Sequence, residues 1–226
     1  VSFNTRDLLA ACLRSVYETA DGLSCEVIVV DNASSDGSAE MVALGFPDAR
    51  LIRSEANLGF ARANNLAIRA SSGRHVLALN SDARLLSGTL QTMVSFLDDN
   101  PGVAAVGAQL LNPDGSFQGS YADFPSFAGE LLLMSKLAGL VRSPSFPSYP
   151  AERSREARPV DWVFGACLMV RRAAIDVVGL LDEDYFMYTE ETDWCYRMRQ
   201  AGWQVYYLPG ARAVHRSGAS AGGAPE

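Results

Sequence analysis

Three observations predict an α/β fold: a mostly parallel central sheet flanked by helices, with a smaller antiparallel portion toward the carboxyl end. In the first half of the chain, short apolar runs alternate with segments of helical periodicity across short connections, as in strand–helix–strand units with right-handed crossovers. Polar clusters stand around Asp31, Asn57 and Asp82, at predicted strand ends and the loops after them. In open α/β sheets ligands bind along that edge. Hydrophobic residues make up 48% of the 226, enough for a sizeable core in one domain.

Taken in order, Val1 to Phe3 read as the end of a first strand, with Asn4 and Thr5 as turn and N-cap. Leu9, Cys12, Leu13 and Val16 recur at i, i+3, i+4 and i+7 and predict a helix over 6–20. Cys25 to Val30 is continuously apolar apart from Glu26, as a buried parallel strand is, and stops at Asp31-Asn-Ala-Ser-Ser-Asp36-Gly37. A short helix is expected from Ser38 to Leu44, a strand from Arg50 to Arg53, and a break at Asn57-Leu58-Gly59. Ala63, Leu66, Ala67 and Ala70 carry the period of the next helix. It leads into His75-Val-Leu-Ala-Leu79, a buried strand closed by Asn80-Ser81-Asp82.

Beyond it come a helix over 89–99 and a strand over 103–108, then a hairpin turning at Asn112-Pro-Asp-Gly115. Residues 127–141 are apolar with only Glu130 and Lys136 charged, and read as a helix packed on the sheet or lying on a membrane surface. Residues 142–159, rich in Pro, Ser and Arg, read as a surface loop. One or two strands over 160–171, a helix over 189–201 with acids at its start, and strands over 203–208 and 213–216 complete the chain.

Composition removes several function classes. The formal charge is −7 with a sequence pI near 4.9, so no global basic field would collect nucleic acid. Lys136 is the single lysine, leaving one candidate for Schiff-base chemistry, and the glycine-lysine pattern of a P-loop is absent. Cys12, Cys25, Cys167 and Cys195 lack C-x-x-C spacing and read as reduced core cysteines of a cytosolic protein. No run of about 18 apolar residues suggests a membrane span, and no signal peptide is visible. The sequence starts without Met inside what reads as a strand, so it is expected to be the core of a longer protein.

The polar clusters carry the chemistry. Asp82 offers a hard oxygen ligand to Mg²⁺ or Mn²⁺, with Ser81 or Asn80 placed to bond a phosphate or a metal-bound water; a strand followed by an Asx turn would look the same. Asp31 can accept a hydrogen bond from a nucleobase imide, or merely cap the helix at Ser38. Asn57-Leu58-Gly59 permits close backbone approach to a ligand, or is an ordinary loop. Glu190, Glu191 and Asp193 supply candidate bases, although acids in a first helical turn also complement the dipole. The preceding Tyr185-Phe-Met-Tyr188 could desolvate a base and stack on a sugar, or could be core. Glu190 falls four residues before Trp194, on the stripe expected to be buried with Met198; Glu191 lies about 100 degrees round from it and is the better base.

Val29 to Ser38, Asn57 to Asn65, Asn80-Ser81-Asp82, Gly165-Ala166, Tyr188 to Cys195 and Ala213-Val214-His215 resemble the ordered motif series of family 2 glycosyltransferases with the GT-A fold. The nearest likeness is to bacterial rhamnosyltransferase-like enzymes of cell-surface polysaccharide synthesis, and it runs from Phe3 to about Gly218. The resemblance implies one GT-A domain over 1–226, with a nucleotide-sugar-binding half at 1–108, an acceptor and catalytic half at 109–218 and a flexible tail at 219–226. By this likeness Asp31 binds the base, and Phe3, Asn4, Asn57, Gly59, Phe60 to Asn64, Asn80, Ser81, Gly165 and Ala166 surround the nucleotide sugar. Asp82 holds the metal under the diphosphate, His215 reaches the metal or the phosphates, and Glu191 is the base in company with Glu190 and Asp193. The implied reaction is inverting transfer from a nucleoside-diphosphate sugar to a glycan or lipid-linked acceptor, with a divalent cation. The implied place is the cytoplasm, with peripheral contact at the inner face of the plasma membrane.

Two positions depart from the family pattern: the D-x-D has one acid, Asp82, and the usual Glu-Asp pair is Glu190-Glu191. A sugar-phosphate nucleotidyltransferase would want a basic glycine-rich loop near the first strand, which Val1 to Leu9 lacks. A glycoside hydrolase would need two cooperating carboxyls and no nucleotide. A catalytically weak sugar-nucleotide binding module is the non-enzyme alternative, suggested by the single acid of the metal motif.

Overall fold

The structure is a computed structural model that describes residues 1–124 and 156–216. The expected helix over 127–141, most of the loop over 142–159 and the tail over 219–226 lie outside the described residues. The amino-terminal part alternates α1 (Arg6–Thr19), β1 (Ile28–Asp31), α2 (Ser38–Gly45), β2 (Arg50–Arg53), α3 (Gly59–Ala70) and β3 (His75–Leu79). After them come β4 (Ala83–Leu85), α4 (Thr89–Asp99), β5 (Val103–Leu111) and β6 (Tyr121–Ala122). The last part holds β7 (Arg158–Val160), β8 (Trp162–Val163), β9 (Cys167–Arg171), α5 (Arg172–Val178), α6 (Glu190–Gln200) and β10 (Gln204–His215).

The central sheet runs β3-β9-β5-β10-β4, with β7 also on β10. Among its described strands only β5 and β10 pair in parallel; β3–β9, β9–β5, β10–β4 and β10–β7 are antiparallel. The expectation of a mostly parallel sheet is therefore corrected to a mixed one. The physical reason lies in β9, which is buried from Cys167 to Val170. A strand covered on both faces is continuously apolar whichever way it runs, so its composition carries no direction.

β5 is buried at all nine positions and is the spine of the core. One apolar cluster joins Leu90, Met93 and Leu97 of α4 to Val106 and Ala108, and a second joins Trp194, Cys195 and Met198 of α6 to Ala105 and Val163. Each such large side chain contributes roughly 1.5–3 kcal/mol by leaving water. At Gly107 a Cβ would stand 2.5 Å from Val163 Cβ, so β8 crosses β5 at a distance only glycine permits.

β10 is one strand where two were expected, its register shifting between Leu208 and Arg212. Beyond the shift, Ala213 to His215 pair with Leu85 to Ala83 of the unexpected β4. That pairing sets His215 beside Asp82.

The first strand expected at Val1 to Phe3 is a single parallel bridge from Ser2 to Asp31. Ser2 N–H donates to Val30 O, and Asn32 N–H to Ser2 O. The four cysteines are free, as expected; Cys12, Cys167 and Cys195 are buried, but Cys25 is exposed and not a core residue.

Candidate active site

At the end of β3, Asn80 N–H donates to Ala166 O, and its own carbonyl accepts from Ala83 N–H. This tight turn presents Asp82, which is 8% exposed. Asp82 Oδ1 is buried, makes no hydrogen bond and lies 3.3 Å from His215 Nε2. The other ring nitrogen of His215, Nδ1, is 2.7 Å from Gln118 Oε1, which as an acceptor places the imidazole proton on Nδ1. A carboxylate oxygen and an imidazole lone pair thus converge on one point. Adjacent ligands of an octahedral ion at about 2.1 Å stand about 3 Å apart, so the pair fits a divalent cation. No cluster of three or more His, Cys, Asp or Glu able to hold a metal exists among the described residues. Gln118, which orients the imidazole from 97 residues away, was missed by the sequence reading.

At the end of β1, Asp31 is 4% exposed; its Oδ2 accepts from Ser34 N–H at 3.1 Å, and its Oδ1 is buried with no partner. Asp36, not Asp31, receives Ser38 N–H and Oγ at the start of α2, so Asp31 is free of the capping role. Asn4, at φ 52°, accepts from Ser35 N–H through Oδ1 at 2.8 Å and holds this loop against the half-buried Phe3 region.

The organiser of the facing loop is Asn32, also missed from sequence. Its Nδ2 donates to Asn57 Oδ1 (2.7 Å) and Gly59 O (3.2 Å), while its Oδ1 accepts from Leu58 N–H (2.9 Å). Asn57 Oδ1 also receives Gly59 N–H at 3.0 Å, Asn64 Nδ2 donates to Phe60 O, and Ser81 Oγ accepts from Thr5 Oγ1 at 2.8 Å. Three side chains expected to touch the nucleotide therefore have bonds within the protein that shape their own loops.

α6 follows two residues with left-handed backbone, Tyr188 and Thr189, both at φ 70°. Trp194 and Met198 are buried as expected, and Glu190 with them at 4% exposed. Gly165 N–H donates to Glu191 Oε1 at 3.3 Å, and Oε2 of each glutamate is buried without a hydrogen bond. Burial first, and then the neighbouring Glu191 charge, push the Glu190 carboxyl up to about 7. Burial likewise raises Glu191, opposed by its backbone and Gly165 hydrogen bonds. Phe60 closes this corner, its Cζ 3.4 Å from where a Gly165 Cβ would be.

Asp193, expected in the company of the base, is engaged within the protein. Arg197 binds its carboxylate at 2.8 Å while donating to Val178 O and Leu180 O, so Asp193 anchors the helix to the preceding loop. The segment before α6 is fastened along α3: Phe60 N–H donates to Phe186 O (2.8 Å), and buried Asn65 bonds both backbone groups of Leu181. Tyr185 to Tyr188 are exposed, which decides between lip and core.

Bonds and contacts link Asp82, His215, Asn80, Ala166, Gly165, Glu191 and Phe60 into one continuous site of an α/β fold. The same architecture occurs in solved glycosyltransferases. GalNAc-T7 with UDP, GalNAc and Mn²⁺ matches at TM-score 0.65 and 15% identity, over 90% of this chain and 40% of that one. The mannosyltransferase PcManGT from Pyrobaculum calidifontis with GDP-Man and Mn²⁺ matches at 0.64 and 22%, over 97% and 56%. The fold is the GT-A glycosyltransferase fold.

The profile of glycosyl transferase family 2 matches residues 1–179, and the chain belongs to that family. It is 32% identical to the N-acetylglucosaminyl-diphospho-decaprenol L-rhamnosyltransferase of Mycobacterium tuberculosis over 88% of this chain and 69% of that protein. It is 26% identical to the low-salt glycan biosynthesis hexosyltransferase Agl10 of Haloferax volcanii, over 90% and 62%.

Proposed function

We propose that this protein is an inverting, divalent-cation-dependent glycosyltransferase of cell-surface polysaccharide synthesis. It moves a sugar, rhamnose by likeness to the mycobacterial relative, from a nucleoside diphosphate to a hydroxyl of a glycan or lipid-linked acceptor. The observation that carries the reading is a buried, unpartnered Glu191 oxygen on one side of Gly165-Ala166, with the Asp82–His215 pair on the other.

Asp82 and His215 would hold the cation, which when bound neutralises the diphosphate as it leaves. Asp31 Oδ1, lacking a partner, accepts a base N–H. Glu191 takes the acceptor's hydroxyl proton as that oxygen bonds to the anomeric carbon and the bond to the diphosphate oxygen breaks. One displacement inverts the centre. Glu190, about half protonated near neutrality, limits the negative charge beside the base. A lipid-linked acceptor would bring the work to the inner membrane face; no helix among the described residues is long and apolar enough to cross a membrane.

The test is incubation with labelled nucleotide sugars and Mn²⁺, reading nucleoside diphosphate release and the product's anomeric configuration by NMR. Transfer with inversion, lost in EDTA and in Asp82→Ala at an unchanged melting temperature, is expected. Donor retained without release would make the protein a binding module, and retained configuration would overturn the mechanism.

A further inference from the structure

Eight large apolar side chains are exposed among the described residues, and four of them are consecutive: Tyr185 (37%), Phe186 (58%), Met187 (36%) and Tyr188 (66%). Scattered exposed apolar residues are ordinary, but a continuous run beside a site calls for an occupant. Its backbone is fixed. Phe186 O accepts from Phe60 N–H at 2.8 Å, and a Cβ at Gly59 would stand 2.4 Å from that oxygen. Upstream, Asn65 grips Leu181, and Arg69 pairs with Glu183 at 3.0 Å. Tyr188 keeps φ 70° at an exposed position, a conformation large side chains avoid and one that packing of its own ring does not impose. The rings are thus displayed on a rigid strip that touches the 59–60 corner and ends three residues before Glu191.

The surrounding charge selects the ligand. Exposed Asp182 and Asp184 precede the rings and Glu191 follows them, while Glu190 is buried and Asp193 is paired with Arg197. Arg62 and Arg69 of α3 face Glu183, at 3.9 and 3.0 Å. An acidic rim disfavours the anionic surface of a bilayer, which attracts basic segments. A neutral pyranose suits both features: its C–H face stacks on an aromatic ring, and its hydroxyls donate to carboxylates.

We propose that Tyr185 to Tyr188, with Tyr188 foremost, are a stacking platform for a neutral pyranose ring of the acceptor, presenting its hydroxyl to Glu191. The proposal rests on the glycosyl-transfer reading above and names the acceptor subsite within it. Saturation-transfer NMR with a panel of neutral methyl pyranosides tests it, using native protein, Tyr188→Ala and Tyr188→Trp with nucleoside diphosphate and Mn²⁺ present. The native protein should contact at least one pyranoside. Tyr188→Ala should weaken that affinity roughly fivefold to tenfold, the range of one aromatic contact, and Tyr188→Trp should restore it. The acceptor KM should move by the same factor while donor affinity stays within about twofold. No pyranoside contact in the native protein, or equal affinity in Tyr188→Ala, overturns the proposal. So does loss of co-sedimentation with phosphatidylglycerol vesicles in Tyr188→Ala at unchanged pyranoside affinity, which would assign the rings to a membrane. Pyranoside binding by a native protein that transfers no sugar would uphold the platform and defeat the transfer reading.

Discussion

Glu190 and Glu191 are neighbours in sequence with different surroundings, and each has a distinct expected phenotype. Glu191 has one oxygen on Gly165 N–H and one without a partner, the arrangement of a base awaiting a proton. Glu191→Gln should lower turnover by roughly two to four orders of magnitude with donor affinity within a few fold. A dead Glu190→Gln beside an active Glu191→Gln would exchange the roles. The Glu190 carboxyl stands at about 7, above its ordinary value of 4.5, so the folded state holds its proton more tightly than the unfolded chain. Stability from this group is therefore fully present below about pH 4.5 and lost as pH rises through about 7. Glu190→Gln should melt higher than the native protein at pH 8 and converge with it near pH 5; melting curves that stay parallel from pH 5 to 8 would contradict the assignment.

At the scale of elements, α3 is the part on which loop geometry depends. Its first residue, Gly59, has φ 77°, and its Cα faces Phe186 O so closely that no side chain fits. Gly59→Ala combines left-handed strain with a clash against backbone and should cost at least about 1–2 kcal/mol, lowering the melting temperature by roughly 2–8 °C in a domain of this size. Because the same contact seats the segment before α6, turnover should fall more than stability does; intact turnover would separate that segment from catalysis.

Which elements could be read from sequence follows from length and burial. The eleven residues of α6 carry enough turns for Trp194, Met198 and Glu190 to announce the buried stripe. The three residues of β4 and seven of α5 are too short for periodicity to emerge, and both stand on contacts with remote segments. Asn32 and Gln118 were hidden for a related reason. Each is a single polar residue whose meaning appears only when Asn57 or His215 arrives from elsewhere in the chain. Asp31, Asp82 and His215 could be placed from sequence because each closes or follows an apolar run. The partner of Asp193 could not be read, since an acid in a first turn looks the same with or without an arginine four residues on.

For the whole molecule, the α/β class was legible because alternation of apolar runs and helical stretches survives any sheet order. Strand direction did not survive, since β9 enters between β3 and β5 with both faces covered. β5 is buried at all nine positions and hydrogen-bonded on both sides, to β9 and to β10, whereas β2 leaves Arg50 and Arg53 in water. In deuterated solvent the two strands should behave as separate clocks. Amides of β5 should exchange only through global unfolding, and those of β2 orders of magnitude faster. Such a spread of rates would date each strand by how deep it lies and not by where it falls in the chain.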